Sequence, residues 1–178
     1  MIHDLIPARM AHVEPWKVDH RAIALHECGH AVIALGRPGW TLLGLVVLPL
    51  DDEVHCNSER REAATPDEHL DELLVALGGP VADAIDTGSD PHRFVARLLQ
   101  SDFECPEEAA NEDDRCTITR ELPLSGYSLY AAVDQVEAIL RANWTTVLTL
   151  TDYVVTASAN QFAPVGVTRL GVDKALSP

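Results

Sequence analysis

The sequence His26-Glu27-Cys28-Gly29-His30 lies within an apolar stretch from residue 22 to residue 35. Residues four apart on an α-helix stand one above the other, so the two imidazoles would project from one face, beside the Glu27 carboxylate. Neutral imidazole nitrogen is a good ligand for Zn²⁺, and a catalytic zinc site adds a third protein ligand while leaving a fourth position for water. The stretch therefore predicts a zinc site with His26 and His30 as ligands and Glu27 as the catalytic residue, and one more ligand has to be found. The alternative is an ordinary helix whose two histidines bond to backbone or carboxylate groups.

Gly29 is the unusual residue in this predicted helix. A glycine in mid-helix costs about 1 kcal/mol relative to alanine, so we expect another element to pack very closely there. A second helix, predicted from the start signal Thr65-Pro66, carries Gly78-Gly79 on an apolar face that continues beyond Pro80. Contact between Gly29 and this glycine pair is therefore our prediction.

Composition bounds the class of protein. The 178 residues suit a single domain over residues 20–178, preceded by an N-terminal arm over residues 1–19. The formal net charge of −15, from 28 acidic and 13 basic residues, argues against nucleic acid as a partner. Apolar runs are too short for a signal peptide or a membrane span, and the four cysteines (28, 56, 105 and 116) form no C-x-x-C pair. We therefore expect a cytoplasmic protein with reduced thiols.

Hydrophobic periodicity predicts a fold that is mainly α with a small β-sheet (α+β). After the motif helix we expect a hairpin, a helix from Pro66, another after Pro91, and a further helix up to Leu122. The last third is expected to form one long helix or a helical hairpin, although its threonine-rich part, residues 145–156, leaves a strand open. The tail from residue 162 is expected to add a short turn and helix.

Together these features resemble the peptidase domain of the FtsH family, the ATP-dependent zinc metalloproteases. The family motif H-E-x-G-H-A-[VL] corresponds to residues 26–32, and its L-x-G-G-x-x-A-[ED] element is similar to residues 77–83. The chain departs from the family at Pro80, where arginine is usual, and by an insertion at about Asp90 to Glu108. It also contains no P-loop, so we expect the peptidase to act without its own ATPase motor.

The resemblance implies that the third zinc ligand is an aspartate near the start of a helix. Asp114 fits best, because Ile118 and Leu122 follow at four and eight residues and would turn its helical face inward. Asp113 is the alternative. Asp90 and the glutamates Glu68 and Glu72 remain open as weaker candidates. Asp83, which matches an acidic residue of the family, is either a group that orients a zinc ligand or a helix-surface carboxylate.

The activity implied by this resemblance is zinc-dependent hydrolysis of peptide bonds, with Glu27 as general base for a zinc-activated water. The substrate would be a peptide or an unfolded protein. If the second strand of the hairpin, residues 54–58, forms the sheet edge, its free backbone groups would hold such a peptide by strand addition; the alternative is a plain structural hairpin. A homo-oligomer or a separate ATPase partner stays open. The alternative function is a catalytically silent zinc-binding scaffold or regulatory protein of the same fold.

Overall fold

A computed structural model describes residues 20–38, 40–48, 53–60, 62–100, 113–158 and 165–168. These residues form a mainly helical fold with a small sheet, as predicted; the N-terminal arm, residues 1–19, lies outside the described part. In chain order the elements are α1 (His20–Leu35), β1 (Trp40–Leu48), β2 (Glu53–Arg60), α2 (Pro66–Asp86), α3 (Pro91–Gln100), α4 (Asp114–Ser125), α5 (Leu129–Ala142), α6 (Trp144–Ser158) and β3 (Val165–Thr168).

Helix α1 is the centre of the fold and contacts α2, α6 and the β1–β2 hairpin. Most of its apolar side chains, among them Leu25 and Ile33, are almost completely buried. The helix ends as the sequence predicts, because the Gly36 N–H bonds back to the Ile33 carbonyl at 3.1 Å and the chain then turns at Pro38. The motif helix is therefore held on several sides, which fixes the positions of His26 and His30.

Helix α2 begins with the predicted cap. The Thr65 hydroxyl accepts a hydrogen bond from the Glu68 N–H at 3.3 Å, and the Glu68 carboxylate accepts one from the Thr65 N–H at 3.0 Å, which is a capping box. The helix then runs unbroken through Gly78, Gly79 and Pro80 to Asp86. The glycine pair and Pro80 therefore do not divide the helix.

The predicted contact between Gly29 and the glycine pair is confirmed. A Cβ placed on Gly78 would lie 2.8 Å from the Gly29 carbonyl oxygen and 2.9 Å from the His30 Cα. A Cβ on Gly29 would likewise meet the Gly78 carbonyl and, at 2.7 Å, the Ala82 Cβ. Since real Cβ atoms do not come this close to backbone atoms, both positions require glycine for α1 and α2 to pack at this separation.

The sheet is antiparallel and has the strand order β2-β1-β3. The predicted hairpin of β1 and β2 is present, with a register shift between Leu42 and Gly44. Strand β3 (Val165–Thr168) lies where we expected a turn and helix, so that prediction is wrong for these four residues. They pair with β1, which is distant in the sequence. In so short a segment the amino-acid pattern carries little information about such long-range pairing. Among the described strands, β2 forms one edge of the sheet.

The last third consists of two helices, α5 and α6, separated by Asn143. The strand alternative for the threonine-rich part is wrong. Val147, Leu150 and Val154 face the core at helical spacing, and the Thr151 hydroxyl bonds the Val147 carbonyl at 2.8 Å, so packing outweighs the preference of β-branched residues for strands. Helix α4 also exceeds its predicted end, passing Pro123 to stop at Gly126, whose φ of 70° lies in the left-handed region.

One expectation about the cysteines is wrong. Cys28 and Cys56 are free thiols, but Cys116, in the first turn of α4, is disulfide-bonded. Sequence spacing alone does not reveal which cysteines the fold brings together; Cys105 lies outside the described residues. No helix among the described residues combines the length and the hydropathy that a bilayer crossing requires.

Candidate metal centre

Three side chains from α1 and α4 converge on one point. The His26 Nε2 atom lies 2.9 Å from the Asp114 Oδ2 atom, the His30 Nε2 atom lies 3.2 Å from the same oxygen, and the two Nε2 atoms are 3.1 Å apart. The histidines share a face of α1, as their spacing predicts, and Asp114 is the first residue of α4. Of the sequence candidates for third ligand, Asp114 is therefore the one beside both imidazoles.

Both imidazoles are held from behind by their Nδ1 atoms. The His26 Nδ1 lies 2.7 Å from the Asp83 Oδ2, and the His30 Nδ1 lies 2.7 Å from the Val75 carbonyl oxygen; both partners belong to α2. Because a carboxylate and a carbonyl are acceptors, each Nδ1 carries a proton and each Nε2 is left to face Asp114. The Gly79 N–H also lies 3.3 Å from the His30 Nδ1, but the Val75 carbonyl at 2.7 Å is much closer and decides the tautomer. This arrangement fixes tautomer and ring orientation, as hydrogen-bond partners behind metal ligands commonly do.

Gly79 leaves room for the two imidazole tips. A Cβ at this position would overlap with the Nε2 atoms of both His26 and His30. The two adjacent glycines of α2 therefore have different structural roles. Gly78 allows the close packing of α1 and α2, and Gly79 avoids a steric clash with the imidazoles where their Nε2 atoms converge.

The charges at this point favour a cation. Burial by itself would lower the pKa of His26, but hydrogen bonds and charge attraction from Asp114 and Asp83 outweigh it and raise that pKa to about 10. The pKa of His30 is also raised, because Asp114 outweighs its burial. Burial would raise the pKa of Asp114, yet the two histidines hold it well below its usual range. Without a metal, the two imidazoles are therefore held in their protonated, cationic form beside the ionised and partly buried Asp114 carboxylate.

Glu27 lies at the side of this cluster. A carboxylate oxygen of Glu27 and a ring nitrogen from each of His26 and His30 lie within 4.8 Å of one another. The Glu27 Oε2 accepts a hydrogen bond from the Cys56 N–H of strand β2 at 2.6 Å. That bond ties the carboxylate to the outer edge of the sheet and leaves Oε1 for another proton donor.

The remaining aspartate candidates are helix caps. The Asp113 Oδ1 accepts from the Arg115 N–H at 2.8 Å and the Cys116 N–H at 3.3 Å, so Asp113 is the N-cap of α4. The Asp90 carboxylate accepts from the Arg93 N–H at 2.9 Å at the start of α3. Neither carboxylate is directed at the imidazoles in these bonds.

The two glutamate candidates, Glu68 and Glu72, also have other partners. Glu68 closes the capping box of α2. Glu72 is buried, with its Oε2 atom 3.9 Å from the Arg120 Nη2 atom. Both are engaged in the first two turns of α2, whereas the histidines contact residues 75, 79 and 83 of that helix.

Sequence reasoning missed three contributors to this site: the Val75 carbonyl, the Cys56 N–H and the role of Gly79 next to the imidazoles. Backbone groups are the same in almost every residue type, so the sequence contains no signal that the Val75 carbonyl or the Cys56 N–H belongs to the site. The glycine pair is present in the sequence, and close packing of α1 and α2 requires only one of the two. The second glycine was therefore the one sequence signal that a further group lies close to α2.

A cavity of about 500 Å³ opens beside His26 and Asp83. Its walls include Ile23 and Leu25 of α1 and Phe94 of α3. The space lies next to the candidate metal ligands, so an apolar group would find room there.

A scan against protein-family models finds no match to this chain, and a search of curated proteins finds no relative.

Proposed function

We propose that this protein is a zinc-dependent metallopeptidase of the FtsH type. The observation that carries the proposal is the convergence of the His26 and His30 Nε2 atoms on the Asp114 carboxylate, with Glu27 beside them. Two imidazoles and a carboxylate are a donor set that catalytic zinc sites use, and a helical H-E-x-x-H pair with a glutamate next to it is the zinc-peptidase arrangement.

The spacing of the three ligand atoms fits a zinc ion. Tetrahedral zinc with bonds of about 2.0–2.1 Å requires ligand atoms about 3.3 Å apart. The observed separations of 2.9, 3.1 and 3.2 Å are close to this value, and Gly79 keeps the adjacent space free. His26, His30 and Asp114 would therefore hold the ion with small side-chain shifts, and their pairing with Asp83 and Val75 already directs the Nε2 atoms inward.

A zinc ion held there would supply a Lewis acid that polarises a carbonyl and lowers the pKa of water. Glu27 then has the part of general base: its Oε1 takes a proton from the attacking water and later returns it to the leaving amine as the C–N bond breaks. The Cys56 N–H holds Oε2, so the carboxylate does not have to be reoriented between the two proton transfers.

Strand β2 is where an extended substrate would lie. It is at one edge of the described sheet, and the Cys56 N–H points away from β1, toward Glu27. Because residues of a strand alternate in direction, Val54 and Ser58 present their backbone groups at the same edge. A peptide paired there would pass beside Glu27 with its carbonyls in a regular series.

The test is a comparison of the wild-type protein with Glu27→Gln. The variant keeps the shape and the hydrogen bond to the Cys56 N–H, but it cannot accept a proton. We expect the same zinc content in both proteins, chelator-sensitive cleavage of a quenched peptide or of casein by the wild type, and a rate for the variant that is lower by a factor of about 10²–10⁴.

A zinc-loaded wild-type protein that cleaves none of these substrates, or a variant that cleaves as fast as the wild type, contradicts the peptidase proposal. The first result would leave the zinc-binding scaffold as the function.

Asp114→Asn and Asp113→Asn form a matched pair for the third ligand. Both remove one negative charge, but asparagine is as good an N-cap as aspartate, so Asp113→Asn should leave stability and zinc content unchanged. Asp114→Asn should lose bound zinc in equilibrium dialysis. Equal zinc contents in the two variants would exclude Asp114 as a ligand.

A further inference from the structure

A second group of metal-ligating side chains lies on α3 and α5, and it shares no residue with the candidate metal centre. It consists of His92 in the first turn of α3 and of Asp134 and Glu137 on α5. One ligand atom from each of the three residues lies within 4.8 Å of the other two. An imidazole and two carboxylates within this distance are enough protein ligands for a transition metal whose other positions are filled by water.

His92 is held in one orientation by two residues of α5. Its Nε2 lies 2.9 Å from the Asp134 Oδ1, and its ring stacks on the Tyr130 ring with centroids 3.7 Å apart and an interplanar angle of 11°. Tyr130, Asp134 and Glu137 follow one another at four and three residues, so they share a face of the helix. The stacking leaves the Nε2 atom directed at the carboxylates, and a metal ligand held in this way loses little freedom on binding.

The present partners of the two carboxylates are weak competitors for a metal ion. Glu137 Oε1 accepts from the Arg141 Nε at 2.8 Å, and the side chain of Arg141 is 58% exposed. The Asp134 side chain is 57% exposed where it meets His92. Ion pairs this exposed contribute little to stability, so a divalent cation that binds both carboxylates and the imidazole can displace these contacts.

We propose that His92, Asp134 and Glu137 form a second metal site, for a late first-row divalent ion such as Zn²⁺, that links α3 to α5. The imidazole favours zinc, nickel and copper over magnesium and calcium, which prefer oxygen ligands throughout. The strongly acidic chain, with a net charge of −15, raises the local concentration of cations. The site is structural, because its ion joins two helices.

Equilibrium dialysis against buffered Zn²⁺, with metal analysis, tests the proposal. The wild-type chain should take up a second equivalent of zinc after the first, and His92→Ala should lose that second equivalent alone. Asp134→Asn should weaken it, whereas Asp152→Asn, which removes the same charge from an exposed position on α6, should not. Arg141→Ala should take up the second equivalent at a lower free zinc concentration, because it removes a competitor of the metal.

A second readout comes from NMR. The ring signals of His92 should shift on addition of the second zinc equivalent and should not shift with Mg²⁺. A second equivalent that persists in His92→Ala, or a wild-type protein that takes up a single equivalent, overturns the proposal. The Asp114→Asn variant separates the two sites, since it should retain the His92 signal shift even if the candidate metal centre binds no zinc.

Discussion

Gly79→Ala is the substitution that most directly tests the geometry of the candidate metal centre. The new Cβ would overlap with the Nε2 atoms of His26 and His30, so at least one imidazole has to turn away. Turning it breaks a 2.7 Å hydrogen bond, either to the Asp83 carboxylate or to the Val75 carbonyl. The substitution therefore attacks the ligand positions without changing a ligand.

The free energies predict a folded protein that binds zinc poorly. If both imidazoles turn, which is the larger loss, the two Nδ1 hydrogen bonds cost about 2–4 kcal/mol, and replacing glycine by alanine in mid-helix returns about 1 kcal/mol. The net loss of about 1–3 kcal/mol is smaller than the stability of about 5–15 kcal/mol that is typical of domains. Changing a residue that hydrogen-bonds a metal ligand from behind weakens metal binding by about 10–100-fold. Displacing the ligand itself should weaken zinc binding by more than this.

The assay is competition with a chromophoric zinc chelator, combined with urea unfolding of the metal-free protein. Gly78→Ala is the neighbouring comparison, because its Cβ would meet backbone atoms of α1 at 2.8 and 2.9 Å and should mainly lower the free energy of unfolding. Gly36→Ala, whose nearest contact is the Ile33 carbonyl at 3.6 Å, is the neutral control. A Gly79→Ala protein that binds zinc as tightly as the wild type would refute the placement of the metal between these imidazoles.

Three further predictions concern the support of the site and the fold. Asp83→Asn should weaken zinc binding by about 10–100-fold in the same competition assay, because His26 loses a charged partner for its Nδ1; an unchanged affinity would show that Asp83 does not orient the ligand. In the metal-free protein the pKa of His26 is raised from 6.5 to about 10, so the stability from its pairing is complete below pH 6.5 and is lost as the pH rises toward 10, by at most about 1.4 kcal/mol per pH unit. Urea unfolding across that pH range should show this decline in the wild type and a flatter profile in Asp114→Asn; parallel profiles would contradict it. Thr65→Ala should lower the free energy of unfolding by about 1 kcal/mol through loss of the α2 cap, with zinc affinity unchanged in the folded protein.

Residue type and spacing alone predicted much of the fold. The cap at Thr65, the period of α1 and α2, the hairpin and the helical character of the last third are local signals, because hydrogen bonds and burial along a single element produce them. The contact of Gly29 with the glycine pair was also predictable, since a mid-helix glycine has a cost that close packing explains. Strand β3 and the continuation of α4 past Pro123 were not predictable, because both depend on pairing and packing with residues that are distant in the sequence.

The same division applies to the site. His26, Glu27 and His30 are close together because of their positions on one helix, so the sequence by itself determined that part of the candidate site. The sequence left Asp114, Asp113 and three weaker candidates open for the third ligand. The packing of α4 against α2 put Asp114 beside the imidazoles of α1 while using Asp113 as a cap. Val75, Cys56 and Gly79 joined the site through tertiary structure alone, since a backbone carbonyl, a backbone N–H and an absent Cβ act only where the fold places them.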